Sequence, residues 1–300
     1  EINLLDGKRS LNVNIFLRQF RIPHEEIVAH IANSESEKIG AEKLRGLVKL
    51  LPEADEVEML RSFAGDKAML GKAEKFFIEL LNLASYKLRI EALLMKEDFT
   101  HNLDWIKQAI DAIILTARDL KDCKELQEII YMVLIAGNFL NTGGYAGDAA
   151  GFKLSSLLKL TEIRANKPRM NLMHYVVLQA ERKNAQLLQF PEQLKYLKEA
   201  SQYSVDALTA DITSLRNKVR SISEQITNTS TDFQEQMQSF LEYARDEMCT
   251  LEMDLAELEE LRVELASYFC EDDQTFKLEE CIKIFQTFCD KFKKDRKSVV

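Results

Sequence analysis

Three hundred residues, 46% hydrophobic and 30% charged with only 10 Gly and 4 Pro, exclude a disordered chain, a collagen and a turn-rich β-sandwich, and point to an all-α protein able to bury a substantial core. Forty Lys and Arg against 49 Asp and Glu leave a formal net charge of -9, so nucleic acid is not an expected partner unless basic residues cluster locally. The five cysteines (Cys123, Cys249, Cys270, Cys281, Cys289) fit neither a disulfide framework nor a CxxC metal site, which points to a reducing cytoplasmic compartment. No apolar run reaches membrane-spanning length, so no transmembrane segment is expected. Residues 1–8 lack a signal-peptide pattern, and a chain opening on Glu1 reads as an excised or processed piece.

Over residues 1–100 the sequence predicts short amphipathic helices separated by breaks at Pro23, at the polar patch 33–37, and at Gly40, Pro52 and Gly65 with Asp66. Nothing there alternates convincingly like strands. Between Asn102 and Leu140, the positions Trp105, Ile106, Ile110, Ile113, Leu115, Leu126, Ile129, Val133 and Leu134 predict two further helices. Five of the ten glycines, at 137, 143, 144, 147 and 151, then fall within fifteen residues. A glycine-rich connection of that length is usually functional or disordered, and its small residues could also admit a partner's bulky side chain. Phe152, Leu154, Leu157 and Leu158 begin another apolar face, so the loop is expected to sit between two anchored helices.

No glycine follows Gly151 and no proline follows Pro191, so the last hundred residues are predicted to be long helix. From Leu208, apolar residues recur through Ile212, Leu215, Val219, Ile222, Ile226, Phe233, Met237, Leu241, Ala244, Met248, Leu251, Leu255 and Leu258 in steps of three, four or seven, as in a coiled coil or a bundle seam. The polar run 227–232, with Thr231 and Gln234 resembling a capping box, leaves one rod and a hairpin both open. A last amphipathic helix over 276–292 leads into a basic tail of Lys291, Lys293, Lys294, Arg296 and Lys297.

Little here suggests catalysis. His24, His30, His101 and His174 show no HExxH or HxxxH spacing and no cysteine at ligand spacing, so they read as incidental, and no metal or cofactor is expected. Residues 147–153 (Gly-Asp-Ala-Ala-Gly-Phe-Lys) put the lysine one place late for a phosphate loop, and a helix precedes them. No GxSxG is present, and the carboxylates lie on helical faces, so an enzyme is not expected. Lys153, Lys159, Arg164, Lys167 and Arg169 form a basic stretch inside an acidic protein, suited to an acidic partner or simply a solvated face.

Three motifs resemble one known family. Gly137-Asn-Phe-Leu-Asn141, then Gly151-Phe-Lys-Leu154 and Leu157-x-Lys-Leu160, look like a signature of the formin homology two domain, the actin-assembling part of formins. Leu4-Leu-Asp6 with Lys8-Arg9 and Asn12-Val-Asn-Ile15-Phe-Leu17 is similar to the start of its knob region. Ala266-Ser-Tyr-Phe-Cys-Glu-Asp272 resembles its closing motif, with cysteine where glycine is common.

The resemblance implies an elongated multi-helix subunit, a single core over 1–300. Its subregions would be a knob (1–100), a post (101–200), coiled-coil-like helices (201–265) and a C-terminal helix with basic tail (266–300). It implies a cytoplasmic, cytoskeletal, non-enzymatic module that nucleates filaments and stays on the barbed end, working as a head-to-tail homodimer in which each lasso wraps the other subunit's post. Ile15 would enter the hydrophobic cleft of actin. Its residue context leaves burial open, since Val13, Ile15 and Leu17 alternate with Asn12, Asn14 and Phe16. Arg164 stands where the family has a contacting lysine, with Lys153 and Lys159 nearby. Gly137, Asn138, Asn141, Gly143, Gly144, Gly147, Gly151 and Phe152 would form the surface that accepts the lasso. The family's lasso precedes the knob, whereas this sequence opens inside the knob motif, so as given it is expected to be a monomer or weak dimer. The alternative readings are a coiled-coil scaffold pairing through 208–258, and a microtubule or membrane-surface binder using the basic tail.

Overall fold

The computed structural model describes residues 2–164 and 168–299. Its elements are α1 (Gly7–Arg18), α2 (His24–Ala32), α3 (Ser36–Ile39), α4 (Ala41–Leu50), α5 (Ala54–Ser62), α6 (Lys72–Asn82), α7 (Tyr86–Asp122), α8 (Lys124–Leu140), α9 (Leu172–Lys183), α10 (Phe190–Gln193), α11 (Leu197–Ala200), α12 (Val205–Ile226), α13 (Thr231–Tyr268) and α14 (Leu278–Val299). Short 3-10 turns occupy Lys67–Met69, Leu154–Lys159 and Ala185–Gln189. Among the described residues there is no strand, only the isolated bridges Ile2 with Leu70 and Arg164 with Asn171. The class is all-α, as the composition predicts, and among the described residues no helix is long and apolar enough to cross a membrane.

The chain divides into two compact units: Glu1–Trp105 with Ile212–Thr250, and Ile106–Asp211 with Leu251–Val300. Helices α7, α12 and α13 contribute residues to both.

In the first unit, α6 packs against α1, α2 and α5 and supplies Phe76, Phe77 and Leu80 to a core shared with Val13, Ile27 and Ile31, all fully buried. Glu74 is buried in the same helix, and its Oε1 accepts from the backbone N–H groups of Leu4 and Leu5 at 3.3 Å each. That contact fixes the entry to α1, whose first turn is capped by Asp6 accepting from Lys8 N–H at 3.1 Å. Phe99 of α7 meets Phe240 and Tyr243 of α13 edge-on at 5.5 and 5.9 Å. The polar patch 33–37, predicted as a break, contains the start of α3, because Ser36 and Ile39 find buried places.

The second unit is organised on α14, which packs on α9, on α11 and on the 154–159 turn. Phe190 meets Phe292 at 4.8 Å and stacks on Phe288 at 5.8 Å. The predicted tail is part of this helix: α14 starts at Leu278 and runs through the basic residues. Lys291 donates to Leu158 O at 2.6 Å, and Arg296 to Leu188 O at 2.6 Å and Glu192 Oε1 at 2.9 Å. Segment 154–159 is a 3-10 turn with Leu154 and Leu157 buried, in place of the expected helix.

The 208–258 seam is a hairpin. Arg245 donates to Ser223 Oγ at 2.8 Å, while Val205 and Thr209 line a groove with Leu255 and Leu258, so α13 runs back along α12. Every seam position except Leu255 is buried within the one chain. Helix α13 begins at Thr231 as expected, but Gln234 caps differently: its Nε2 donates to the carbonyls of Thr229 and Thr227, at 2.8 and 3.2 Å, closing the preceding turn.

Candidate protein-interaction site

Helix α1 buries Val13, and Phe20, just past its end, is buried as well. Helical spacing then turns Leu11 and Ile15, four apart, to the opposite side. Leu11 is 59% and Ile15 50% exposed, flanked by exposed Lys8, Asn12, Arg18 and Gln19. The alternation seen in the sequence is incidental, since a helix rather than a strand sets which residues share a face. Leu11 escapes a reading confined to Val13, Ile15 and Leu17, although its four-residue offset from Ile15 is visible in the sequence.

A second surface begins on α8. From Ile129 onward this helix is apolar on nearly every side, yet it buries only one face, through Leu126, Ile129, Val133 and Ala136. Tyr131, Ile135, Phe139 and Leu140 are left exposed, Phe139 by 78%. Beside them, Ala136, Phe139, Leu140, Ile163, Arg164, Leu172 and Tyr175 line a mostly apolar groove of about 170 Å³. The bridge of Arg164 with Asn171, and the hydrogen bond from Leu172 N–H to Ile163 O at 2.9 Å, set the far wall. Arg164 is exposed at this groove, and Lys153, Lys159 and Arg169 are exposed on the same segment of chain; Lys167 lies outside the described residues.

The glycine-rich loop that follows α8 is an ordered turn built on itself. Asn138 donates from Nδ2 to Ala149 O and accepts at Oδ1 from Ala149 N–H, both at 2.9 Å, clasping the loop across eleven residues. The Asn141 carbonyl accepts from Gly144 N–H at 2.9 Å, and Gly144 O from Gly147 N–H at 3.1 Å. Gly143 adopts φ +80, and a Cβ on Gly147 would lie 2.6 Å from Asn141 O, so both positions are held to glycine by the loop's own geometry. At Gly137 and Gly151, neighbouring residues and the helix's own backbone aside, no atom of the described residues comes within 4 Å of where a Cβ would stand. Asn141, Gly143, Gly144 and Gly151 are exposed, while Gly137, Asn138, Gly147 and Phe152 are half-buried. Of the sequence-predicted residues, Arg164 lines this groove, while Gly137 and Asn138 sit on α8 outside its lining and Asn138 is turned to the loop that carries the remaining glycines. Sequence reasoning misses the groove's apolar wall; the signal for it is the excess of apolar residues in α8 over what one buried face needs.

A family model described as Formin Homology 2 Domain matches residues 1–293. The chain is 42% identical over 294 residues to mouse FH2 domain-containing protein 1, covering 98% of this chain and 26% of that protein. It is 35% identical over 297 residues to Inverted formin-2 of Xenopus laevis (99% and 27%) and 30% identical over 302 residues to Formin-like protein 14 of Arabidopsis thaliana (99% and 25%). The chain therefore spans about a quarter of the length of the curated relatives it matches. With the match running from its first residue to residue 293, the chain belongs to the Formin Homology 2 domain family.

Proposed function

We propose that this chain is an actin-binding, non-catalytic assembly module that acts at the filament barbed end, nucleates filaments, and works as a head-to-tail homodimer in the complete domain, in the cytoplasm on the cytoskeleton. In this reading it is one core over 1–300, with the knob in 1–100 and the post in 101–200. Ile15 is the apolar actin contact, supported on α1 by Leu11, and Arg164 with Lys153 and Lys159 supplies the polar contact. The α8 groove and its loop, from Gly137 to Phe152, receive the other subunit's lasso.

The observation that carries this reading is the exposure of Ile15 on the outer side of α1, in a chain matched to the family over 1–293. A buried isoleucine could not reach a partner. Two observations weigh against the rivals. The seam a coiled-coil scaffold would pair through is buried inside one chain, and Lys291 and Arg296 of the basic tail are engaged with carbonyls of their own unit.

The test is elongation of pre-formed actin filament seeds with free barbed ends, across a concentration series of the chain and of Ile15→Ala. Truncating an apolar anchor at an interface centre costs about 2 kcal/mol or more, so Ile15→Ala is expected to weaken barbed-end binding by ~30-fold. Slowing by the parent and not by the variant supports the knob contact. Equal slowing by both moves the contact to the segment around Arg164, and absence of any effect both from this chain and from a longer chain carrying the lasso refutes the reading.

A further inference from the structure

The first unit brings three metal-ligating side chains to one point. His24 opens α2, Glu25 follows it, and Glu79 projects from α6, the helix against which α2 packs. One donor atom from each lies within 4.8 Å of both others. His24 Nε2 is 3.4 Å from Glu25 Oε1 and 3.5 Å from Glu79 Oε1, yet Nε2 is shielded from solvent and has no hydrogen-bond partner among the described residues.

That combination is unusual for a histidine beside carboxylates. A ring N–H facing a carboxylate draws it to about 2.8 Å along the N–H axis. His30, later in the same helix, does so with Glu35 Oε2 at 2.7 Å. At His24 two oxygens from two different helices instead stand at nearly equal, longer distances, neither in hydrogen-bonding geometry. A separation of about 3.3 Å between donor atoms is what tetrahedral coordination imposes when metal–ligand bonds are about 2.0–2.1 Å. The buried nitrogen already has that spacing to both oxygens, and only the two carboxylates need to approach each other. The Glu25 side chain is 61% and the Glu79 side chain 37% exposed, which leaves them free to do so and leaves room for water.

We propose that His24, Glu25 and Glu79 form a divalent-cation site suited to Zn²⁺, with solvent completing the coordination. One imidazole and two carboxylates select a borderline ion over Mg²⁺ or Ca²⁺, which prefer all-oxygen sets, and the two carboxylates balance its charge. The ion ties the start of α2 to α6. His24 and Glu79 are 55 residues apart in the chain, so no motif spacing announces the site.

The test is calorimetric titration of Zn²⁺ into the chelator-treated chain, with thermal melting in parallel. Because Cys249 and Cys270 are exposed thiols, the titration is run in a Cys249→Ser/Cys270→Ser background. Co²⁺ absorption then separates an imidazole–carboxylate site from thiolate charge transfer. One equivalent of Zn²⁺ is expected to bind in that background and to raise the melting temperature. His24→Asn and Glu79→Gln should each weaken it beyond the roughly 10–100-fold that loss of an outer-shell group costs. Melting without metal shows whether each variant folds, and either one that melts like the parent is sufficient for the comparison. Absence of one-equivalent binding, binding unchanged in a folded variant, or binding lost only with the thiols overturns the proposal.

Discussion

Arg89 is the most heavily used side chain of the first unit, and its replacement tests how that unit is held together. Its side chain is 2% exposed. Nε donates to Ala84 O at 3.1 Å, Nη1 to Ala32 O and Gln236 Oε1 at 3.0 and 3.2 Å, and Nη2 to Ser230 Oγ and Asp232 Oδ2 at 3.3 and 3.0 Å. The guanidinium also lies 4.4 Å from the Phe233 ring centroid. One side chain thereby joins the end of α2, the start of α7 and the turn between α12 and α13. Arg89→Met keeps the stem's volume and removes every donor. The desolvated cation–π contact is worth about 2 kcal/mol, and the half-buried Ala32 carbonyl left without its donor costs about 1 kcal/mol. Exposed Ala84 rehydrates, and Gln236 Oε1 keeps the Ser34 hydroxyl at 2.7 Å. The expected loss is therefore about 3 kcal/mol. A two-unit chain need not unfold in one step, so the readout is amide hydrogen exchange in α2 and the start of α7, alongside urea denaturation. Asp232 is 60% exposed and water replaces its partner, so Asp232→Asn should cost much less. Exchange rates in Arg89→Met equal to the parent's, full rescue by Arg89→Lys, or an equal loss in Asp232→Asn would refute the assignment of the clamp to the guanidinium's buried neutral partners.

Other expectations follow from particular environments. Burial pushes the thiols of Cys281 and Cys289 up to about 12 and raises that of Cys123, so iodoacetamide at neutral pH should label Cys249 and Cys270 in the native chain and reach the other three only on unfolding; mass spectrometry of the labelled peptides checks this. Hydrogen bonds from Ser230 and then Arg89 hold the Asp232 carboxyl below its ordinary value. Its folded value lies below its unfolded one, so its contribution is present above about pH 4 and lost as the pH falls through the folded value. Acid unfolding of Asp232→Asn should accordingly be less steep than the parent's in that range. Phe292 is fully buried between Phe190 and Phe288, and Phe292→Ala should cost about 3–5 kcal/mol in the second unit; a loss near zero in denaturation would show that α14 is not its keystone.

The helical class was legible because so few glycines and prolines interrupt periodic apolar spacing, and the breaks at Pro23, Gly40 and Pro52 do separate helices. The seam was legible as a pattern but not as a hairpin, since spacing along one helix says nothing about which chain covers it. The 227–232 turn settled that only through its actual hydrogen bonds. What failed were places where tertiary contacts outweigh local composition. Ser36 and Ile39 find a core, 154–159 tightens to 3-10 as Leu154 and Leu157 bury, and the basic tail stays helical because Lys291 and Arg296 reach carbonyls of the second unit. The convergence of His24 with Glu79 depends on how α2 packs against α6, which no local pattern encodes.

The glycines of the candidate site separate by cause, and the separation says where a partner would have to approach. Gly143 needs its positive φ and Gly147 its missing Cβ because of Asn141 and the loop around it, so alanine there would disturb the loop whether or not anything binds. Gly137 is different. It sits inside α8 with φ in the ordinary range and open space where a side chain would go, and glycine in a helix interior costs about 0.5–1 kcal/mol relative to alanine. Nothing among the described residues accounts for that cost. Helix geometry puts Gly137 next to Val133 and Leu134, on the opposite side of α8 from the exposed Ile135 and Phe139, so a close approach by another chain over this flank of α8 would explain it. Gly137→Ala should then raise thermal stability of the chain by about 0.5–1 kcal/mol, while weakening association of the complete domain. A variant that is no more stable than the parent would point to an internal reason for the glycine and remove this flank of α8 from the proposed interface.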